Sequence, residues 1–165
     1  MEFFASIKEE ILVILWGMAP ISEIRGAVLI GVFGYDFHPV KAFLLGAFGN
    51  ILATVPLAYI LGRFSEYLMH KIYFVNRILS WLFEYTRKRH QDHFDSWKYG
   101  SLALFVFVAI PLPFTGAWSG ALASIVFGIP FRKVAWILPL GILTSGVIVV
   151  ILSQLGIITS SAIAH

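Results

Sequence analysis

The chain has 165 residues, 59% of them apolar and 13% charged, with fifteen phenylalanines, no cysteine and a formal charge of +3. Soluble domains carry roughly 45–50% apolar and about 25% charged residues, and the mean hydropathy here is +0.86. A soluble fold of this length cannot hide so much apolar surface, so the composition points to a bilayer as solvent and excludes disulfides, thiolate metal sites and cysteine catalysis.

The N-terminus does not read as a secretory signal. Met1-Glu2-Phe3-Phe4 offers no basic n-region, Lys8 is followed by Glu9 and Glu10, and the apolar run continues past any cleavage point. The segment is expected to stay in the mature protein. Four apolar blocks follow, at 3–33, 39–61, 101–127 and 134–158, with most of the charge between the second and third, at 63–98. The second and fourth blocks each exceed the ~20 apolar residues that span a bilayer as a helix. Pro56 and Pro139 can kink them, which neighbouring helices absorb.

The first and third blocks are interrupted near their middles. Ala19-Pro20 breaks one, and Ile110-Pro111-Leu112-Pro113-Phe114-Thr115-Gly116 breaks the other. Proline removes a backbone donor and disfavours the helical region for the residue before it. A continuous helix is therefore not expected through Pro20, or through Pro111 and Pro113. A shift of 94 positions matches Gly26 with Gly120, Ala27 with Ala121, Gly34 with Gly128 and Gly62 with Gly156. Each half also has the same order: broken block, short polar connection, spanning helix. Interrupted segments at corresponding positions of two halves point to a transporter site.

Charge placement separates two topologies. If all four blocks span, basic residues fall on both sides. If the broken blocks are re-entrant hairpins, the 63–98 connection shares one face with Arg132 and Lys133, while Glu9, Glu10 and Asp36 share the other with Lys8, His38 and Lys41. The positive-inside rule favours the hairpins. The basic middle is then cytoplasmic, both termini lie outside, and the hairpin tips meet near the midplane. The expected fold is an all-α integral membrane protein, an inverted repeat of re-entrant hairpin plus transmembrane helix. As one membrane domain it divides into a first repeat at 1–62, a basic connection at 63–99, a second repeat at 100–158 and a tail at 159–165.

Within the connection, Ile72, Phe74, Val75, Ile78, Leu79, Leu82 and Phe83 recur at helical spacing, too short to span and suited to an interfacial amphipathic helix. Trp81, Tyr85, Trp97 and Tyr99 suit the headgroup level, and Arg87-Lys88-Arg89-His90 suits anionic cytoplasmic lipid. A topology anchor is the plain reading of this segment.

The residues that can carry chemistry sit at the breaks. Met18-Ala19-Pro20-Ile21-Ser22-Glu23-Ile24-Arg25-Gly26 puts a carboxylate and a guanidinium in mid-block, where an ionisable group costs about 2.5–3.5 kcal/mol on insertion scales. Two apart, Glu23 and Arg25 do not face each other on a helix. Ser22 is placed to cap the half-helix start after Pro20, and Arg25 there offers a planar fork for phosphate or carboxylate. Glu23 is positioned to neutralise Arg25 in an empty site or to carry a coupled proton. The alternative is an internal salt bridge that only holds the hairpin shut. In the other hairpin Thr115 is placed to cap, with the backbone N–H groups of Gly116 and Ala117 available and Trp118 a candidate lining residue or a packing one. Gly116, Gly120, Ser124 and Gly128 recur every four residues, a stripe for close helix approach. Asn50, one turn before Thr54, is a secondary binding candidate or interhelical glue, and Thr144, Ser145 and Gln154 punctuate the fourth block. His90 and His93 lie near Asp92 and Asp95 without a second cluster to complete a metal site. No phosphate loop, metal-ligand helix or nucleophile elbow is present. No enzyme activity, cofactor, metal or nucleic-acid partner is expected.

Pro20-Ile21-Ser22-Glu23-Ile24-Arg25-Gly26-Ala27, paired with Ile110-Pro111-Leu112-Pro113-Phe114-Thr115-Gly116-Ala117-Trp118-Ser119-Gly120, resembles the small multidrug export protein family over nearly the whole chain. Phe114 departs from the family's usual glycine before the threonine, which would narrow the pocket. The family is distantly similar to the DedA/VTT membrane proteins, with two opposed re-entrant hairpins implicated in proton-coupled transport or lipid translocation, some in recycling undecaprenyl phosphate. The resemblance implies a multi-pass transporter of the prokaryotic inner membrane, with membrane lipids, protons and an anionic or lipid-linked substrate as partners. Arg25, Ser22, Thr115, Gly116, Ala117, Trp118 and Asn50 are the candidate substrate-binding residues and Glu23 the proton coupler. Drug efflux and a non-transporting membrane scaffold are the alternatives. So short a chain is compatible with a homodimer, which nothing in the sequence fixes.

Overall fold

A computed structural model describes residues 2–71, 96–112 and 115–163. Among these, six α-helices run in order: α1 (Glu2–Met18), α2 (Glu23–Leu29), α3 (Pro39–Lys71), α4 (Ser96–Ala109), α5 (Ala117–Val126) and α6 (Phe131–Ile163). A π-helical turn, Ile30–Gly34, extends α2. The two prolines that interrupt the apolar blocks and lie within the described residues, Pro20 and Pro111, both fall between helices. The Ala19 N–H still donates to the Leu15 carbonyl at 3.1 Å. Pro20 has no N–H to continue the ladder, and the Glu23 N–H resumes it by donating to Ala19 at 2.9 Å.

The same local chemistry sets the other ends. Pro39 occupies the first position of α3, where a missing N–H costs nothing, and the His38 imidazole Nδ1 accepts the Val40 N–H at 3.3 Å. Helix α5 stops at Gly128, whose φ of +62° supplies the left-handed residue of a Schellman ending. The Ile129 N–H donates back to Ser124 at 2.8 Å and the Gly128 N–H to Ile125 at 2.9 Å. Gly128 therefore terminates the helix rather than extending the small-residue stripe, while Gly116, Gly120 and Ser124 are buried.

Helices α3 and α6 each contain a stretch long and apolar enough to cross a membrane, Pro39–Arg63 and Phe131–Gly156. At 1.5 Å per residue the shorter, of 25 residues, rises about 38 Å, more than the ~30 Å hydrocarbon core. Both run through their internal prolines, Pro56 and Pro139. Their faces are sorted the way a bilayer demands. Val40, Leu44, Phe48, Leu52 and Ile60 of α3 point outward, as do Trp136, Leu140, Leu143, Val147, Ile151 and Leu155 of α6. The inward faces hold the small and polar residues, among them Ala47, Asn50, Thr54 and Ala58 on α3 and Ser145 and Ser153 on α6. Large apolar side chains facing out and polar ones facing in mark an integral membrane protein.

Helix α3 continues past Gly62 and Arg63 to Lys71, so helical structure reaches into the basic connection. The amphipathic segment 72–83, the basic run 87–90 and the His90–Asp95 cluster lie outside the described residues. Of the connection, the start of α4, with Trp97, is helical.

The halves share one core. Ile24, Val28 and Ala47 cluster with Leu104, Val108, Ala117, Ala121, Leu138 and Ile142. Helix α2 packs on both long helices, and so does α5. Glycines let the backbones meet. A Cβ on Gly49 would overlap the Ile14 carbonyl of α1, and one on Gly146 of α6 would press into Ile24 and Phe43. Gly62, by contrast, has nothing among the described residues within 4 Å of its Cβ position. Gly49→Leu is thus expected to drive α1 off α3 and abolish a monodisperse detergent-purified species. Gly62→Ala should stay within about 0.5 kcal/mol of wild type in unfolding midpoint; equal behaviour of the two variants would contradict this packing.

Candidate functional site

The two breaks are joined by the charged pair that follows the first of them. Glu23 adopts φ +50°, a left-handed conformation costing a non-glycine residue about 1–2 kcal/mol. At the first residue of α2 this φ departs from ordinary α-helical geometry. Glu23 and Arg25 therefore do face each other, contrary to the helical expectation, with Arg25 Nη2 3.2 Å from Glu23 Oε2. Strain of this kind persists only where surrounding structure over-determines it.

Both side chains then reach into the second half. Glu23 Oε1 accepts the Trp118 backbone N–H at 3.2 Å, one of the unpaired donors at the start of α5. The Arg25 guanidinium donates through Nη1 to the Leu112 carbonyl and through Nη2 to the Thr115 carbonyl. One side chain thus takes a donor at the start of α5, and the other takes two carbonyls of the second break, of which that of Leu112 also accepts the Thr115 N–H at 3.2 Å. The second break answers through the Trp118 indole, whose Nε1–H donates to the carbonyl of Met18, the last residue of α1, at 3.2 Å. The Glu23 side chain is nearly inaccessible and that of Arg25 about one-fifth exposed.

Gly116 makes the approach feasible. It sits at φ +152°, and a Cβ there would overlap the Glu23 carboxylate. Glycine therefore serves twice here, for the backbone angle and for the space.

The capping roles expected of Ser22 and Thr115 are not found. Ser22 makes no side-chain cap on α2 and donates its hydroxyl to the Trp16 carbonyl of α1 instead. Gly116 is the N-cap residue of α5, without a side-chain cap. Thr115 Oγ1 folds back on its own turn, accepting the Leu112 N–H at 3.2 Å and lying 2.8 Å from the Ile110 carbonyl as donor. The cap is supplied in trans by Glu23, because a carboxylate accepts from a helix start more strongly than a hydroxyl. Arg25, Glu23, Thr115, Gly116, Ala117 and Trp118 thus converge, and Ser22 faces α1. Pro20 and Pro111 flank the site, while Pro113 and Phe114 lie outside the described residues.

Asn50 stands apart. It is 0% exposed, and among the described residues neither Oδ1 nor Nδ2 has a hydrogen-bond partner. Thr54 Oγ1 bonds only back to the Asn50 backbone carbonyl at 2.7 Å. The antiparallel register of α2 and α3 sets Gly31 against Ala42 and Ala27 against Gly46. One further step of four residues in each helix pairs position 23 with position 50 in the sequence. Asn50 lies at the middle of the Pro39–Arg63 stretch.

Residues 23–148 match a family model described as "Putative small multi-drug export protein". The chain belongs to that family, an export family rather than one of enzymes. No curated protein and no solved structure matches the chain.

Removing either charge leaves the other buried without its partner, which costs about 3–5 kcal/mol for a buried pair. Arg25→Gln is therefore expected to lower unfolding stability in detergent by about 3 kcal/mol, and Glu23→Gln with Arg25→Gln by clearly less than the sum of the single losses. Additive losses would show that the two side chains do not act as one unit. Gly116→Ala, which alters no charge, is expected to cost at least about 2 kcal/mol through overlap and backbone strain; an unchanged midpoint would refute the placement of Glu23 against Gly116.

Proposed function

We propose that this protein is a transporter of the prokaryotic plasma membrane, moving an anionic or amphipathic substrate by alternating access, with protons coupled through Glu23. The single observation that carries the reading is the exchange of partners between the breaks: a buried carboxylate and a guanidinium of one hold the free backbone groups of the other. In the proposed architecture the halves are an inverted repeat of re-entrant hairpins. Support comes from the shift of 94, which pairs Glu23, where α2 starts, with Ala117, where α5 starts. It also comes from the length of α5, whose 10 residues rise about 15 Å, half the hydrocarbon thickness.

In this reading Glu23 occupies the anion position of the empty carrier. Arg25 and the Trp118 N–H are both donors and suit any anion. Protonating Glu23 removes its charge, weakens its hold on both, and leaves them for the substrate. Substrate anion and Glu23 carboxylate then exclude each other, which is what couples a proton to an anion. A polyprenyl-phosphate-type lipid fits best, since its phosphate matches the guanidinium fork and its tail a lipid-exposed tip. Ile21, 98% exposed, and Leu112 supply apolar surface beside the breaks. The family description favours a second reading, efflux of a small-molecule drug. A cationic drug would prefer a carboxylate without a neighbouring arginine, and Arg25 works against it.

The test is flux of a fluorescent polyprenyl phosphate in proteoliposomes, wild type against Arg25→Ala, with and without a pH gradient. Flux that needs both Arg25 and the gradient is expected. Dependence on Arg25 alone would remove the coupling role of Glu23 and leave a scramblase. No flux from folded wild-type protein would turn the assignment to cationic drugs, and failing those to a membrane scaffold whose charged pair is structural.

A further inference from the structure

The proton-coupled cycle requires two environments for Glu23, and the two hydrogen-bond partners it has here both suit the ionised form. Its carboxylate meets Arg25 Nη2 and the Trp118 N–H, both donors. A protonated carboxyl is a different ligand, with one donor and one acceptor, and neither of these two partners can accept its O–H.

The complementary group stands on α3, against which α2 packs. The Asn50 carboxamide is completely buried with a free acceptor, Oδ1, and a free donor, Nδ2. A buried polar group without partners is costly, and native proteins rarely keep one without a reason. The register of α2 on α3 runs through Gly31 with Ala42 and Ala27 with Gly46, and its next step of four residues pairs position 23 with position 50. A carboxamide and a carboxylic acid pair through two hydrogen bonds in one ring: acid O–H to amide Oδ1, and amide Nδ2–H to acid carbonyl oxygen. An ionised carboxylate forms only half of that ring and repels Oδ1.

We infer that Asn50 is the docking partner of protonated Glu23, a positioning residue that receives the acid when it leaves the start of α5 and so makes the proton-loaded state a defined conformation. The inference rests on the reading of Glu23 as the proton carrier. The other charged groups of the surrounding helices do not compete for it. Lys41 of α3 is ion-paired with Glu10 of α1 at 2.7 Å, far along the helix from Asn50. Lys8 and Glu9 precede Glu10 on α1, and Arg63 closes the other end of the Pro39–Arg63 stretch. Arg132 and Lys133 lie at the start of α6, with no ionisable residue from there to Gly156. Helix α5 has none, and α4 has none after Tyr99. Arg25 is thus the charged neighbour of Glu23 among the described residues, and Asn50 the unpartnered polar one at the matching step of the register.

The experiment is pH-difference infrared spectroscopy of the full-length protein in lipid bilayers, recording the C=O stretch of protonated carboxyl groups. Glu23→Gln identifies the Glu23 band by its loss. In Asn50→Leu the band is expected to move to the higher frequency of a carbonyl released from a hydrogen bond, and Asn50→Gln should restore part of the shift. Asn50→Leu also removes an unpartnered amide, so it should fold at least as well as wild type; Asn50→Ala replaces it should leucine prove too large. A Glu23 band at the same frequency in wild type and both apolar variants overturns the pairing and leaves proton coupling standing. Absence of any Glu23 band in the wild type at accessible pH overturns the coupling role and this inference together.

Discussion

Backbone groups freed by proline inside a bilayer have no water to turn to, and this constraint organises the molecule. Each unsatisfied group in hydrocarbon costs several kcal/mol. The chain meets the requirement with two side chains that are themselves costly there. The Glu23 carboxylate takes a donor at the start of α5, and Arg25 takes the carbonyls of Leu112 and Thr115. Charge and broken backbone each cancel the other's penalty.

Packing follows from the same junction. For Glu23 to reach α5, residue 116 must have no side chain and its backbone must take a left-handed angle, which only glycine supplies without strain. To hold α2 close, α3 presents Gly46 to Ala27 and α6 presents Gly146 to Ile24. These contacts rest on van der Waals attraction at short range, because lipid tails offer helices no hydrophobic drive to associate. The outward sides of α3 and α6 carry large apolar residues such as Phe48 and Trp136, and their buried polar residues, Asn50, Thr54, Ser145 and Ser153, face inward beside core residues such as Leu138 and Ile142.

Much of this was legible in the sequence, and the reasons are local. Proline chemistry alone located both breaks, and apolar length alone located α3 and α6. The mid-block cost of charge singled out Glu23 and Arg25 as the pair to examine. What the sequence did not disclose was long-range or conformational. Nothing about a glutamate announces a left-handed φ, so helical spacing predicted that Glu23 and Arg25 face apart when they pair at 3.2 Å. Hydroxyls at Ser22 and Thr115 fit capping rules, yet the Trp118 N–H found a carboxylate 95 residues away in sequence, which took the place Thr115 would have filled. The one available hint was Gly116, immediately before the first residue of α5, where a cap residue with a side chain would ordinarily stand. Gly128 likewise read as part of a packing stripe, because a helix-ending glycine and a packing glycine look alike until φ is known.

Arg25 and Glu23 hold the two breaks together, and on this the rest depends. The chain's lack of cysteine allows a direct measurement. Spin labels on cysteines at Ile21 and Leu112, both exposed beside the breaks, report their separation in lipid by double electron–electron resonance. With Arg25 and Glu23 intact, a single narrow short-distance peak is predicted, broadening toward longer distances when both are changed to glutamine. A distribution indifferent to those substitutions would mean that something other than the charged pair holds the breaks, and would contradict its central role.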